Sequence, residues 1–188
     1  MTRPPRARSA FIRFALPFGA LGFFALAALP ARAQVDASIV PDDAPAWQPM
    51  AAAIDSAKTD DRLLLIHTYA KWCGWCARLD QEVYTDDAVQ AYLGEHFAVT
   101  RLDMEAEDPV RFFGMQQQQR ELAASFGVTG TPTILFFDAE GRYITRYPGY
   151  APPDRFLYLL RYVKEGAYEL MPFPDFIEMA EHADQRGG

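Results

Sequence analysis

The chain has 188 residues, half of them hydrophobic and 14% aromatic, enough for one domain with a well-packed core. Its formal charge is −7, and it falls to −12 over residues 34–188, where 13 Lys and Arg face 25 Asp and Glu. Such a surface excludes nucleic acid and anionic membrane as partners, because both require positive charge at the contact.

Residues 1–33 have the pattern of an export signal. Arg3, Arg6, Arg8 and Arg13 form a basic start, Phe14 to Leu29 an uncharged apolar run, and Ala31-Arg32-Ala33 a small-x-small cleavage site before Gln34. The run is slightly short of the roughly 17–25 residues a spanning helix needs, so we expect cleavage and a periplasmic mature protein. Only an uncleaved leader would tie the chain to a membrane. Residues 34–46 read as an N-terminal arm, 47–168 as the folded domain and 169–188 as a C-terminal tail.

The arm leads into a first helix predicted over Trp47–Ala57, with Met50, Ala53, Ile54 and Ala57 at helical spacing. Arg62 to Tyr69 is a continuous apolar run of strand length, as in a central strand covered on both faces. A helix is expected from Gly74 to Val83, with Asp86 or Asp87 capping a continuation toward Gly94. Phe97–Met104 reads as an alternating second strand. Pro109 and Gly114 interrupt the pattern between Glu105 and Met115. A helix is then predicted over Gln116–Phe126, its glutamines forming a solvated face and Gly127 ending it.

Thr133–Asp138 and Tyr143–Tyr147 read as strands joined in a hairpin by Ala139–Arg142. Pro152-Pro153-Asp154 opens a last helix, with Phe156, Leu159, Leu160 and Val163 facing the core and Gly166 closing it. Phe173, Phe176 and Ile177 make the tail either a short packing helix, the favoured reading, or an interaction segment. This order means parallel crossovers first and an antiparallel hairpin last, in an α/β sheet flanked by helices.

The only two cysteines lie in Trp72-Cys73-Gly74-Trp75-Cys76, at the predicted strand-to-helix junction. Thiols at i and i+3 in a first helical turn can close a disulfide, and the first sulfur meets unpaired backbone N–H groups that favour a thiolate. Cys73 is therefore the candidate nucleophile and Cys76 the resolving thiol. A purely structural role is disfavoured, because so short a loop gains little stability from closure. Two soft ligands also suit Cu(I) or zinc, but His67 is the only further ligand nearby, so no metal or other cofactor is expected. Covalent haem is disfavoured because Ala77, not His, follows Cys76. Trp72 and Trp75 place apolar surface beside the thiols, for packing or for a partner.

Leu63-Leu64-Leu65-Ile66-His67-Thr68-Tyr69-Ala70-Lys71 leading into the cysteines, then Gly127-Val128-Thr129-Gly130-Thr131-Pro132-Thr133, then Gly149, together resemble the thioredoxin superfamily over about Trp47–Glu165. The extra segment before the Gly-Val-x-Gly-Thr-Pro stretch, and Pro148-Gly149-Tyr150, are similar to exported SoxW-type thioredoxin-like proteins. The resemblance implies a thioredoxin-like fold with a central mixed sheet flanked by helices. It also implies a thiol–disulfide oxidoreductase that holds partner proteins reduced and is recharged by a membrane electron-relay protein. Pro132 is then expected in the cis form facing the cysteines, which leaves the Thr131 backbone to pair with a partner segment. With Trp72, Gly74 and Trp75, Thr131 completes the expected substrate contacts.

His67 stands where thioredoxins commonly bury an acid, and it either serves as base for the second thiol or is an ordinary core histidine. Arg101 matches a place often held by Lys, while His96 and His182 read as surface residues. An oxidase or isomerase also fits a Gly-aromatic pair between the cysteines. It ranks lower, because isomerases of this kind typically carry a separate dimerisation domain, and only about a dozen residues separate the leader from the first helix.

Overall fold

The computed structural model describes residues 45–187. The predicted signal peptide, and the arm up to residue 44, lie outside them. The elements run α1 (Met50–Asp60), β1 (Leu63–Tyr69), α2 (Gly74–Arg78), α3 (Asp87–His96), β2 (Phe97–Asp103), β3 (Pro109–Phe112) and β4 (Met115–Gln118). They continue as α4 (Gln119–Ser125), β5 (Thr133–Phe137), β6 (Tyr143–Pro148), α5 (Pro153–Lys164) and α6 (Phe173–Gly187).

Four strands form one mixed sheet in the order β2-β1-β5-β6, and β3 with β4 forms a separate hairpin. β1 runs parallel to β2, with His67 beside Arg101, and antiparallel to β5, with Thr68 beside Thr133. The final β5–β6 pair is antiparallel. This is the thioredoxin-like α/β architecture expected from the sequence. Alternation along β1 separates two cores: Leu65 joins Tyr84, Phe97, Phe136, Phe156 and Phe176 on one face, while Leu64 and Ile66 meet Met50, Ile54, Leu122 and Leu135 on the other.

Several predicted elements shift. The first helix begins at Met50 rather than Trp47, after Pro49, and the strand-like stretch before it adds to the sheet edge through Gln48 N–H to the Val99 carbonyl at 3.1 Å. Asp86 is the cap of α3, accepting from the N–H groups of Ala88 and Val89 at 3.0 Å each. β2 does not alternate, because helices cover both its faces and all of Phe97–Asp103 is buried. The helix predicted from Gln116 begins at Gln119, and Gln116–Gln118 form β4 instead. Phe113 at φ 43° and Gly114 at φ 87° reverse the chain there as a two-residue turn of left-handed residues. Gln118 and Glu121 then cap α4 reciprocally. The tail forms the packing helix α6, with Phe176 and Ala180 buried in the first core.

Candidate active site

β1 delivers the chain to Ala70, whose carbonyl accepts from the Cys73 N–H at 3.0 Å. That turn makes Cys73 the N-cap of α2, its Sγ accepting from the Cys76 N–H at 3.1 Å. The two sulfurs are joined, S–S 2.20 Å and Cα–Cα 5.3 Å. Cys73 is 7% exposed and Cys76 1%, so both are more sheltered than a helix tip implies. Tyr69, Ala70 and Met104 pack around them.

The Thr131–Pro132 peptide bond is cis. Because Thr133 pairs with Thr68, Pro132 stands at the same end of the sheet from which β1 leaves for the cysteines. The Pro132 carbonyl accepts from the Gly149 N–H at 2.8 Å, fixing this loop to the end of β6. Thr131 Oγ1 is buried and has no hydrogen-bond partner among the described residues. A cavity of about 320 Å³ opens here, lined by Gly130, Thr131, Pro132, Arg146, Pro148 and Gly149.

Trp72 and Trp75 stand out from the surface at 70% and 55% exposure, and both are held. Trp72 Nε1–H donates to Glu105 Oε1 at 2.9 Å. The Trp75 ring lies 5.5 Å from that of Tyr150, and the Arg78 guanidinium sits over both, 5.4 Å from Trp75 and 5.0 Å from Tyr150. Glu82 ties this group together, accepting from Arg78 Nε at 2.9 and 3.0 Å and from the Tyr150 hydroxyl at 2.7 Å. The hydrogen bonds it accepts from Tyr150 and then Arg78 hold the Glu82 carboxyl below its usual range. A Cβ added at Gly74 would meet nothing, so the space beside this residue is open.

Beneath the site α2 continues as a single π turn, Leu79–Val83, which turns the consecutive residues Leu79 and Asp80 both inward. Asp80 takes the Arg101 guanidinium, its two oxygens 2.6 and 2.9 Å from Nη2, in a wholly buried ion pair. Burial raises the Asp80 carboxyl, and Arg101 offsets part of that rise. Arg101 also lies over the rings of Tyr69 at 4.6 Å and Trp47 at 5.0 Å. His67 faces this cluster, its ring 5.4 Å from Tyr84 and 5.9 Å from Trp47. Complete burial, and secondarily the Arg101 charge, lower its pKa well below the ordinary histidine value, so the ring is neutral. Neither ring nitrogen has a partner among the described residues, and the same holds for Tyr84 Oη and Trp47 Nε1.

The structure therefore places Cys73, Cys76, Trp72, Gly74 and Trp75 on one turn, brings Pro132 and Thr131 to the same end of the sheet, and sets His67 in the core. Sequence reasoning missed Asp80, Glu82, Arg78 and Tyr150. Their signal was weak: acids four and six residues beyond Cys76, and a tyrosine after Gly149. Among the described residues no group of three His, Cys, Asp or Glu side chains could hold a metal ion, and no helix is long and apolar enough to cross a membrane.

Residues 50–164 match the family model described as Thioredoxin-like domain. The disulfide bond reductase DsbH of Chlamydia pneumoniae is 28% identical over 109 residues, covering 56% of this chain and 63% of that protein. The thiol:disulfide interchange protein DsbD of Actinobacillus pleuropneumoniae is 35% identical over 96 residues, covering half of this chain and 15% of that protein. The chain thus spans less than two thirds of each. A thioredoxin-fold protein from Helicobacter pylori superposes with a TM-score of 0.58 at 21% identity, over 66% of this chain and 87% of that one.

Proposed function

The chain belongs to the thioredoxin-like family, and from that premise we propose that it is an exported thiol–disulfide oxidoreductase that reduces disulfides in partner proteins. The observation that carries the reading is the Cys73–Cys76 disulfide, closed across the first turn of α2 at the end of the sheet where cis-Pro132 opens β5. The names of DsbH and DsbD support the same chemistry in relatives, and the leader over residues 1–33 supports export.

The form described is the oxidised one. An external dithiol, for which a membrane electron-relay protein is the natural class, first opens it with two electrons and two protons. The Cys73 thiolate, stabilised by the N–H groups of its own helical turn, attacks one sulfur of a partner disulfide. A Cys73–partner bond forms, the partner S–S bond breaks, and the second partner sulfur leaves as a thiolate that takes a proton. Cys76 then loses its proton and attacks Cys73 Sγ. The internal disulfide re-forms and the first partner sulfur departs. The partner has gained the two electrons that the chain has lost. The Thr131 backbone, just ahead of β5, serves the partner as an added strand edge, with Trp72 and Trp75 beside it.

Insulin reduction by the dithiol-charged chain tests this. Activity should vanish in Cys73→Ser, and Cys76→Ser should accumulate partners as mixed disulfides on Cys73. A reduction potential near roughly −270 mV fits a reductant, while one near roughly −120 mV would refute the direction of electron flow.

A further inference from the structure

Trp75, Tyr150 and Arg78 form a surface whose chemistry is already determined before any partner arrives. The two rings meet at a tilt of 42°, the guanidinium lies over both, and Glu82 fixes Arg78 and Tyr150 by hydrogen bonds. Trp, Tyr and Arg are the side chains that most often dominate binding energies, and rings held in place lose little freedom on contact. Trp75 nonetheless leaves 55% of its surface to solvent, two residues from Cys73, the sulfur that must meet a partner. The charge of the platform is spent: Glu82 neutralises Arg78, and its carboxylate repels another carboxylate. What remains open is apolar and aromatic.

We infer that the Trp75–Tyr150–Arg78 platform is a specificity site for a bulky apolar side chain, aromatic above all, next to the cysteine of the partner's disulfide. The inference rests on the thiol-exchange reading of Cys73 and names its substrate class. The preferred substrates are disulfides in polypeptide segments with Phe, Tyr, Trp or Leu beside the cysteine. Glycine-flanked, acid-flanked and small disulfides such as oxidised glutathione gain nothing from this surface. Tyr150 also binds the dithiol helix to the segment that holds cis-Pro132, since Gly149 directly before it donates to the Pro132 carbonyl. It thereby sets the platform at a constant distance from the strand edge offered at Thr131.

The test uses the full chain carrying Cys76→Ser, reduced, with short peptides whose single cysteine is joined by a disulfide to thionitrobenzoate. The Cys73 thiolate takes the peptide sulfur, the peptide–thionitrobenzoate S–S bond breaks, and thionitrobenzoate leaves as a coloured thiolate. Adduct mass confirms which sulfur was captured. A Phe-flanked peptide should react about tenfold faster than a Gly-flanked one and outrun an Asp-flanked one by more, as loss of one buried anchor commonly costs. Trp75→Ala or Tyr150→Ala, each added to Cys76→Ser, should reduce the Phe-to-Gly ratio to about threefold or less. The two changes together should lower it little further, because the rings act as one unit. The ratio within each variant is the readout, so a general loss of rate does not mimic the effect. A ratio near one with the platform intact, or one that survives both substitutions, would overturn the inference while leaving thiol exchange standing. Failure of every peptide to form an adduct on Cys73 would overturn both.

Discussion

Asp80, one helical turn beyond Cys76, holds the guanidinium of Arg101 on the second strand in a fully buried ion pair, with oxygens 2.6 and 2.9 Å from Nη2. Removing one member strands the other charge in the core, which typically costs about 3–5 kcal/mol. Asp80→Leu and Arg101→Met should each destabilise by that order in urea unfolding. The double variant should recover most of the loss, because an apolar pair of similar volume has no desolvation to offset. A double variant as unstable as the sum of the singles would refute this balance.

His67 predicts how stability responds to acid. Its folded pKa lies well below the unfolded value of 6.5, so between those two values the unfolded chain binds a proton that the folded chain refuses. The histidine therefore takes stability away as pH falls below about 6.5, by up to about 1.4 kcal/mol per pH unit until the folded ring also titrates. Above that pH it has no such effect. His67→Leu should flatten the decline in unfolding free energy between about pH 6.5 and 5, and an unchanged slope would show that the ring is not held neutral.

Gly127 ends α4 at φ +66°, and a Cβ there would strike the guanidinium of Arg146. That guanidinium donates to the Phe126 and Gly127 carbonyls, 2.6 Å each. Gly127→Ala should cost about 1–3 kcal/mol, from left-handed strain together with displaced hydrogen bonds. In an Arg146→Ala background the same change should cost only the backbone part, about 1 kcal/mol. Thermal melts of the four proteins measure the difference.

Phe176 anchors α6 in the core shared with Phe156 and Tyr162. Phe176→Ala should destabilise by about 3–5 kcal/mol in chemical denaturation. A loss below about 1 kcal/mol would mean that the C-terminal helix is dispensable to the fold.

Much of this was legible in the sequence, because the signals were local. The apolar run into Tyr69 forces a doubly covered strand, Asp86 caps at once, and Pro152-Pro153 can only open a helix. The dithiol and the proline before β5 were readable as motifs. The β3–β4 hairpin was not, since its turn depends on Phe113 in a left-handed conformation that propensity argues against. Its ring lies against Gly141, where a Cβ would collide, a contact between residues distant in sequence. Asp80 was hidden for a related reason: an acid next to Leu79 reads as surface on a regular helix, and only the π turn takes both inward. Tyr150 was noted for its neighbours, and its tie to Glu82 appears only once β6 and α2 are brought together.

The Cys73–Cys76 bond joins the only two sulfhydryl groups in these 188 residues. This chain therefore stores one electron pair and no more. If the chain works as the proposed reductant, each turnover empties it, and its steady-state rate cannot exceed the rate at which an outside donor refills it. Should Cys76 be lost, no third thiol within the chain can free a captured partner, and rescue must come from thiols in solution. Stoichiometric titration should accordingly end at two electron equivalents per chain.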